Sequence, residues 1–119
     1  MTQSEEVLDM SVIAGLRELG GDDDETLFRE LLDLYIDDSK NQMRRLEESL
    51  ASGDLKVAER VAHTLKSSSA NLGAMAMSKL CMQMEMRGRG ETPASMGELL
   101  PAAREAHLRA VSALNALRT

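Results

Sequence analysis

A chain of 119 residues is long enough for one domain with a buried core and too short for two. Its formal charge of −6 excludes the basic patch that phosphate backbones demand, so nucleic acid is not an expected partner. With one Phe, one Tyr and no Trp, the core must be built from aliphatic residues and nine Met, which suits packed helices better than sheets.

Leu8, Val12, Leu16 and Leu19 recur at helical spacing, with Asp9 as N-cap and Gly20-Gly21 as terminator of a short first helix. Residues 1–7 are expected to form a flexible tail, and 8–118 a single domain. Asp22-Asp23-Asp24 opens a long second helix as a solvated, dipole-compatible start. Its apolar stripe runs through Phe28, Leu31, Leu32, Tyr35, Met43, Leu46 and Leu50. Gly53 ends it after about 25 residues, or about 40 Å at the α-helical rise.

Asp54 caps a third helix with the stripe Ala58, Val61, Ala62, Leu65, Ser69 and Leu72, and Gly73 falls at its end or at a bend. The fourth helix uses Met77, Leu80, Cys81 and Met84 and closes at Gly88 and Gly90. Met75, Met77, Met82, Met84 and Met86 exceed what one buried stripe needs; they read chiefly as core and edge filler, with an adaptable contact surface as the alternative. Thr92-Pro93-Ala94-Ser95 is a turn. The last block holds Leu100, Ala103, Ala110, Val111, Leu114 and Leu117, with Pro101 at either a kink or a helix start.

No stretch alternates with period two, and short connections make successive long helices antiparallel. The expected fold is therefore all-α: an antiparallel up-down-up-down four-helix bundle with a short additional N-terminal helix. No apolar run approaches the roughly 20 residues that span a bilayer, and Met1 to Glu6 lacks the basic and apolar regions of a secretory signal. One cysteine, Cys81, leaves no intrachain disulfide, so a reducing cytoplasm is the expected location.

Helical geometry singles out His63. At 100° per residue it points about 150° away from the stripe of Ala58, Ala62, Leu65 and Ser69, toward water. Lys56, Glu59, Arg60, Lys66, Ser67 and Ala70 share its face. Three roles are open to such a ring. The plainest is a solvated surface histidine. A metal site through Glu59 and His63 at i, i+4 lacks further ligands, because His107 has no spaced partner. The third role is nucleophile. An exposed imidazole is largely neutral near pH 7, and Lys66 one turn on can contact a phosphoryl oxygen as a point charge. The run Ser67-Ser68-Ser69-Ala70 keeps weak helix formers in mid-helix, which leaves clearance for another protein's backbone.

The run Ala62-His63-Thr64-Leu65-Lys66-Ser67-Ser68-Ser69-Ala70-Asn71-Leu72-Gly73-Ala74 strongly resembles the signature of histidine-containing phosphotransfer (HPt) domains. That signature has the phospho-accepting His, Leu two later, Lys three later, small residues next and Gly ten later. The resemblance extends over nearly the whole chain, through the Phe28-containing helix, Gly53-Asp54, and Cys81 with Glu85. It implies that His63 is the phospho-acceptor, that Lys66 helps hold the phosphoryl group, and that Gly73 permits close packing near the site. It also implies that Glu85 is a polar neighbour of the imidazole. Ser67 departs from the pattern, since many members carry glycine there, and its hydroxymethyl either crowds the partner or contacts phosphate.

The same resemblance implies partners and a division of labour. The partners are receiver domains of response regulators, of hybrid sensor kinases, or of both; the receiver brings the phosphorylated aspartate and the Mg2+, and this chain needs no cofactor. The chain is then a phosphocarrier without kinase activity of its own, a monomer, and cytoplasmic, including as the cytoplasmic part of a membrane-bound hybrid kinase. Docking falls to Met10, Ile13, Glu59 and Ala70 around the histidine, although Met10 and Ile13 could equally cap the bundle end. Two other readings compete: an HPt-like adaptor that docks without carrying phosphate, and a metal- or cofactor-binding bundle. The second would need paired Glu-x-x-His motifs, which the sequence lacks.

Overall fold

Aspartates open two of the helices and glycines close two others. The computed structural model describes residues 7–19 and 25–118. The tail residues 1–6, the Gly20-Gly21 terminator and the Asp22-Asp23-Asp24 cap lie outside the described residues. Five α-helices follow in order: α1 (Met10–Leu19), α2 (Thr26–Ser52), α3 (Leu55–Asn71), α4 (Met75–Arg89) and α5 (Leu100–Arg118). A 3-10 segment, Pro93–Leu99, connects α4 to α5. Helices α2 to α5 pack in sequence and α5 returns against α2, which closes an up-down-up-down bundle; α1 lies on α2. Among the described residues there is no strand.

The α2–α3 corner follows from local chemistry. Gly53 takes φ 79°, the left-handed conformation that lets its N–H and that of Asp54 reach the Leu50 and Ser49 carbonyls. Asp54 then accepts the Val57 N–H at 3.3 Å and caps α3. Asp9 opens α1 in the same manner, with Oδ1 accepting from the Ser11 N–H at 3.0 Å.

The core is aliphatic and sulfurous around two rings, Phe28 and Tyr35. Phe28, Leu32, Leu46, Leu65, Met84 and Leu114 have no solvent exposure. The Arg17 guanidinium covers the outer end, 4.6 Å from the Phe28 ring centroid. Two polar pairs are built into the apolar interior: the Tyr35 hydroxyl with Ser69 Oγ at 2.8 Å, and Ser39 Oγ with His107 Nε2 at 2.8 Å. Burial pushes the Tyr35 hydroxyl and the Cys81 thiol each up to about 12, so both stay protonated and the cysteine is inert.

Several expectations need correction. Ile13 is 1% exposed and belongs to the core, because it is the α1 residue turned into the bundle while Val12 and Leu16 beside it are half-buried; it cannot be a docking residue. Leu19, expected on the buried stripe, is 67% exposed at the end of α1. Val7, expected in a flexible tail, packs half-buried against the core. Of the five α4 methionines, Met77 and Met84 are buried, whereas Met75, Met82 and Met86 face outward instead of filling the core. Pro101 is the second residue of α5, so it starts a helix and does not kink one.

Candidate functional site

Helices α3 and α4 form an antiparallel hairpin turned by Leu72, Gly73 and Ala74. The Ser78 hydroxyl donates to the Lys66 carbonyl at 2.8 Å and holds the two helices close. The apolar stripe of α3 faces the core, and its opposite face, with His63, is turned outward as helical spacing demands. The His63 side chain is 56% exposed.

One edge of the ring is anchored. Nδ1 lies 2.5 Å from Oε2 of Glu85, whose side chain is only 3% exposed between the helices. Lys66 Nζ donates to the other carboxylate oxygen, Oε1, at 2.7 Å. Burial alone would raise the Glu85 carboxyl, but the hydrogen bonds from Lys66 and His63 and the charge of Arg89 outweigh it and hold the group below the usual carboxylate range. An ionised carboxylate only accepts, so the shared proton sits on Nδ1. A ring with its single proton there carries its lone pair on Nε2, which among the described residues has no hydrogen-bond partner. Carboxylate, oriented imidazole and free lone pair are the parts of an activated nucleophile.

Sequence reasoning missed Arg89. Its terminal nitrogen donates to Glu85 Oε2 at 2.7 Å, and its Nε donates to Glu59 Oε1 at 2.9 Å, bridging α4 to α3. The signal was available: Arg89 follows Glu85 by four residues, the spacing at which helix side chains meet. Glu59, expected at the docking surface, is engaged by this bridge and only 17% exposed.

The structure thus gathers His63, Lys66, Glu85, Glu59 and Arg89. Ser67 is exposed one turn beyond His63, Ala70 is half-buried further along, and Met10 is 38% exposed at the start of α1. Gly73 is not part of the cluster. It follows the end of α3, about 15 Å along the axis from His63. There it has φ 76°, and its carbonyl accepts the Asp9 N–H at 2.7 Å. A Cβ at Gly73 would stand 2.9 Å from the Asp9 carbonyl oxygen, so the close packing this glycine permits is with α1 and not with the imidazole. Among the described residues no group of three or more His, Cys, Asp or Glu converges as a metal site, and no helix is long and apolar enough to cross a membrane.

Known proteins are similar to this chain in sequence and in fold. Multistep phosphorelay regulator 1 of Schizosaccharomyces pombe is 30% identical over 88 residues, which covers 74% of this chain and 30% of that protein. The chain therefore spans less than a third of that relative's length. The crystal structure of histidine-containing phosphotransfer protein B from Pseudomonas aeruginosa PAO1 superposes with a TM-score of 0.86 at 26% identity, covering 94% of each chain. Residues 30–117, which contain His63, Lys66, Glu85 and Arg89, match the Hpt domain model, and the chain belongs to the Hpt domain family.

Proposed function

We propose that this chain is a histidine phosphocarrier in a multistep phosphorelay, taking a phosphoryl group from a receiver-domain aspartate onto His63 and passing it to the aspartate of a second receiver. The observation that carries the reading is the buried, ionised Glu85 on Nδ1, which leaves Nε2 as the exposed nucleophilic nitrogen. In the transfer, Nε2 forms a bond to phosphorus as the acyl-phosphate P–O bond breaks and the aspartate leaves as carboxylate. The ring keeps its Nδ1 proton and gains a positive charge that faces Glu85. No proton has to be removed during the attack.

Lys66 contacts a phosphoryl oxygen as charge builds there, and Ser67 stands one turn away with a hydroxyl that can add a hydrogen bond. The transition state is loose, so positioning and electrostatics do most of the work, and the receiver supplies the divalent cation. The chain itself carries no cofactor and has no kinase activity of its own; its partners are receivers of response regulators, of hybrid sensor kinases, or of both. Docking uses Met10, Ser67 and Ala70, with Glu59 at the edge. The protein acts as a cytoplasmic monomer without affinity for nucleic acid.

Incubation with a phosphorylated receiver tests the reading. Wild-type protein acquires acid-labile, alkali-stable label, and His63→Gln acquires none. Equal label on both proteins, or none on the wild type, removes it.

A further inference from the structure

We infer that Arg89 is a positioning residue for chemistry at His63: it keeps Glu85 in place and ionised when Lys66 turns from Glu85 to the phosphoryl group. This rests on His63 being the phospho-acceptor, and it adds a residue that acts only through another.

Glu85 holds three donors, and they are not equivalent. Among the described residues Oε1 accepts from Lys66 alone, while Oε2 is shared by His63 Nδ1 and Arg89. Lys66 carries a compact ammonium on a flexible stem and holds one carboxylate, so it can follow a stronger anion. Arg89 is tied twice, since its Nε also donates to Glu59 on α3. Its planar fork contacts both carboxylates at once and holds them in a fixed geometry that a rotating ammonium does not impose.

Charge balance gives the arrangement its logic. In the form that attacks phosphorus, whose Nε2 must be unprotonated, Glu59 and Glu85 carry two negative charges against two positive ones on Lys66 and Arg89. Phosphorylation makes the ring cationic and adds a dianionic phosphoryl group on Nε2. When Lys66 moves to that group, the imidazolium takes its place, so Glu59 and Glu85 still face two cations. Without Arg89 the exchange fails. A carboxylate 3% exposed would then have only the ring, and it would either retain Lys66, which is then withheld from the phosphoryl group, or take up a proton and lose its hold on Nδ1–H. The groups facing Glu85 are His63 and Lys66 from α3 and Arg89 from its own helix, with Glu59 behind Arg89.

The test uses the full chain as wild type, Arg89→Ala and Arg89→Lys, with folding checked by circular dichroism. Two quantities are read: the pH titration of the Glu85 side-chain carboxyl by NMR, and the decay of phosphohistidine formed with phosphoramidate, which needs no receiver. In Arg89→Ala the Glu85 midpoint moves to higher pH and phosphohistidine decays about tenfold faster, the equivalent of ~1.4 kcal/mol. Arg89→Lys, which keeps the charge without the fork, recovers the midpoint and only part of the lifetime. Folded Arg89→Ala protein with wild-type midpoint and lifetime overturns the inference. Absence of label on wild-type His63 instead defeats the phosphocarrier reading, and the titration still decides the place of Arg89.

Discussion

Oε2 of Glu85 lies 2.5 Å from Nδ1 of His63, although 22 residues separate the two in the chain. The α3–α4 hairpin brings them together and sorts the two ring nitrogens into one held and one free. Glu85→Gln keeps the size and an acceptor oxygen but removes the charge that faces the imidazolium. Single-turnover transfer from a phosphorylated receiver slows by about tenfold in this variant, ~1.4 kcal/mol of transition-state stabilisation. Wild-type rates would mean that ring orientation alone matters and the charge does not.

Lys66 is a half-buried surface cation, and its removal leaves Glu85 with Arg89 as counter-ion. Lys66→Ala therefore changes unfolding free energy by about 1 kcal/mol or less. Transfer slows and phosphohistidine is lost faster, because one donor to the phosphoryl oxygens is gone. Urea denaturation and label-decay measurements on the same sample separate the two effects, and a large loss of stability would contradict the surface placement.

His107 gives the bundle a pH dependence of its own. Burial, and then the charge of Lys40, hold its ring below the ordinary 6.5. The unfolded chain therefore takes up this proton before the folded one, so stability falls as pH drops below about 6.5. The Glu85 carboxyl, held low, contributes stability above its ordinary 4.5 that is lost only as pH falls below that value, a separate window. Melting temperature should decline as pH falls from about 6.5 to about 5.5 in wild type and much less in His107→Gln. Identical slopes in the two proteins would show that another group is responsible.

Ile13 and Met10 lie three residues apart and have opposite roles. Ile13→Ala removes a side chain 1% exposed and should destabilise by about 2–4 kcal/mol. Met10→Ala, at 38% exposed, should stay within about 1 kcal/mol while lowering the affinity of a receiver. Calorimetry of both variants checks the assignment, and comparable losses would undo it.

Much of the fold was legible because its determinants are local. The sign of φ at Gly53 and the cap at Asp54 depend on neighbouring residues, and the α3 stripe from Ala58 to Leu72 is buried as its period requires. Ile13 was misread because which side of α1 turns into the bundle depends on how α1 packs on α2, which the period of α1 does not encode. His107 was readable and passed over: it lies at helical spacing with Ala103, Ala110 and Leu114, all buried on one stripe of α5. For Glu85, spacing alone gave no pairing with His63; only the resemblance to HPt domains pointed there. Gly73 was correctly marked as a site of close approach, but the neighbour is the Asp9 backbone, a contact from the other end of the chain.

The chain contains two histidines, and the bundle seals one of them against Ser39. On the phosphocarrier reading, a sole berth then serves both traffic directions: donor and acceptor receivers compete for the same imidazole and cannot occupy it together. Throughput is then set by how quickly a spent donor departs. Crowding by idle receivers throttles the relay without any change in its chemistry.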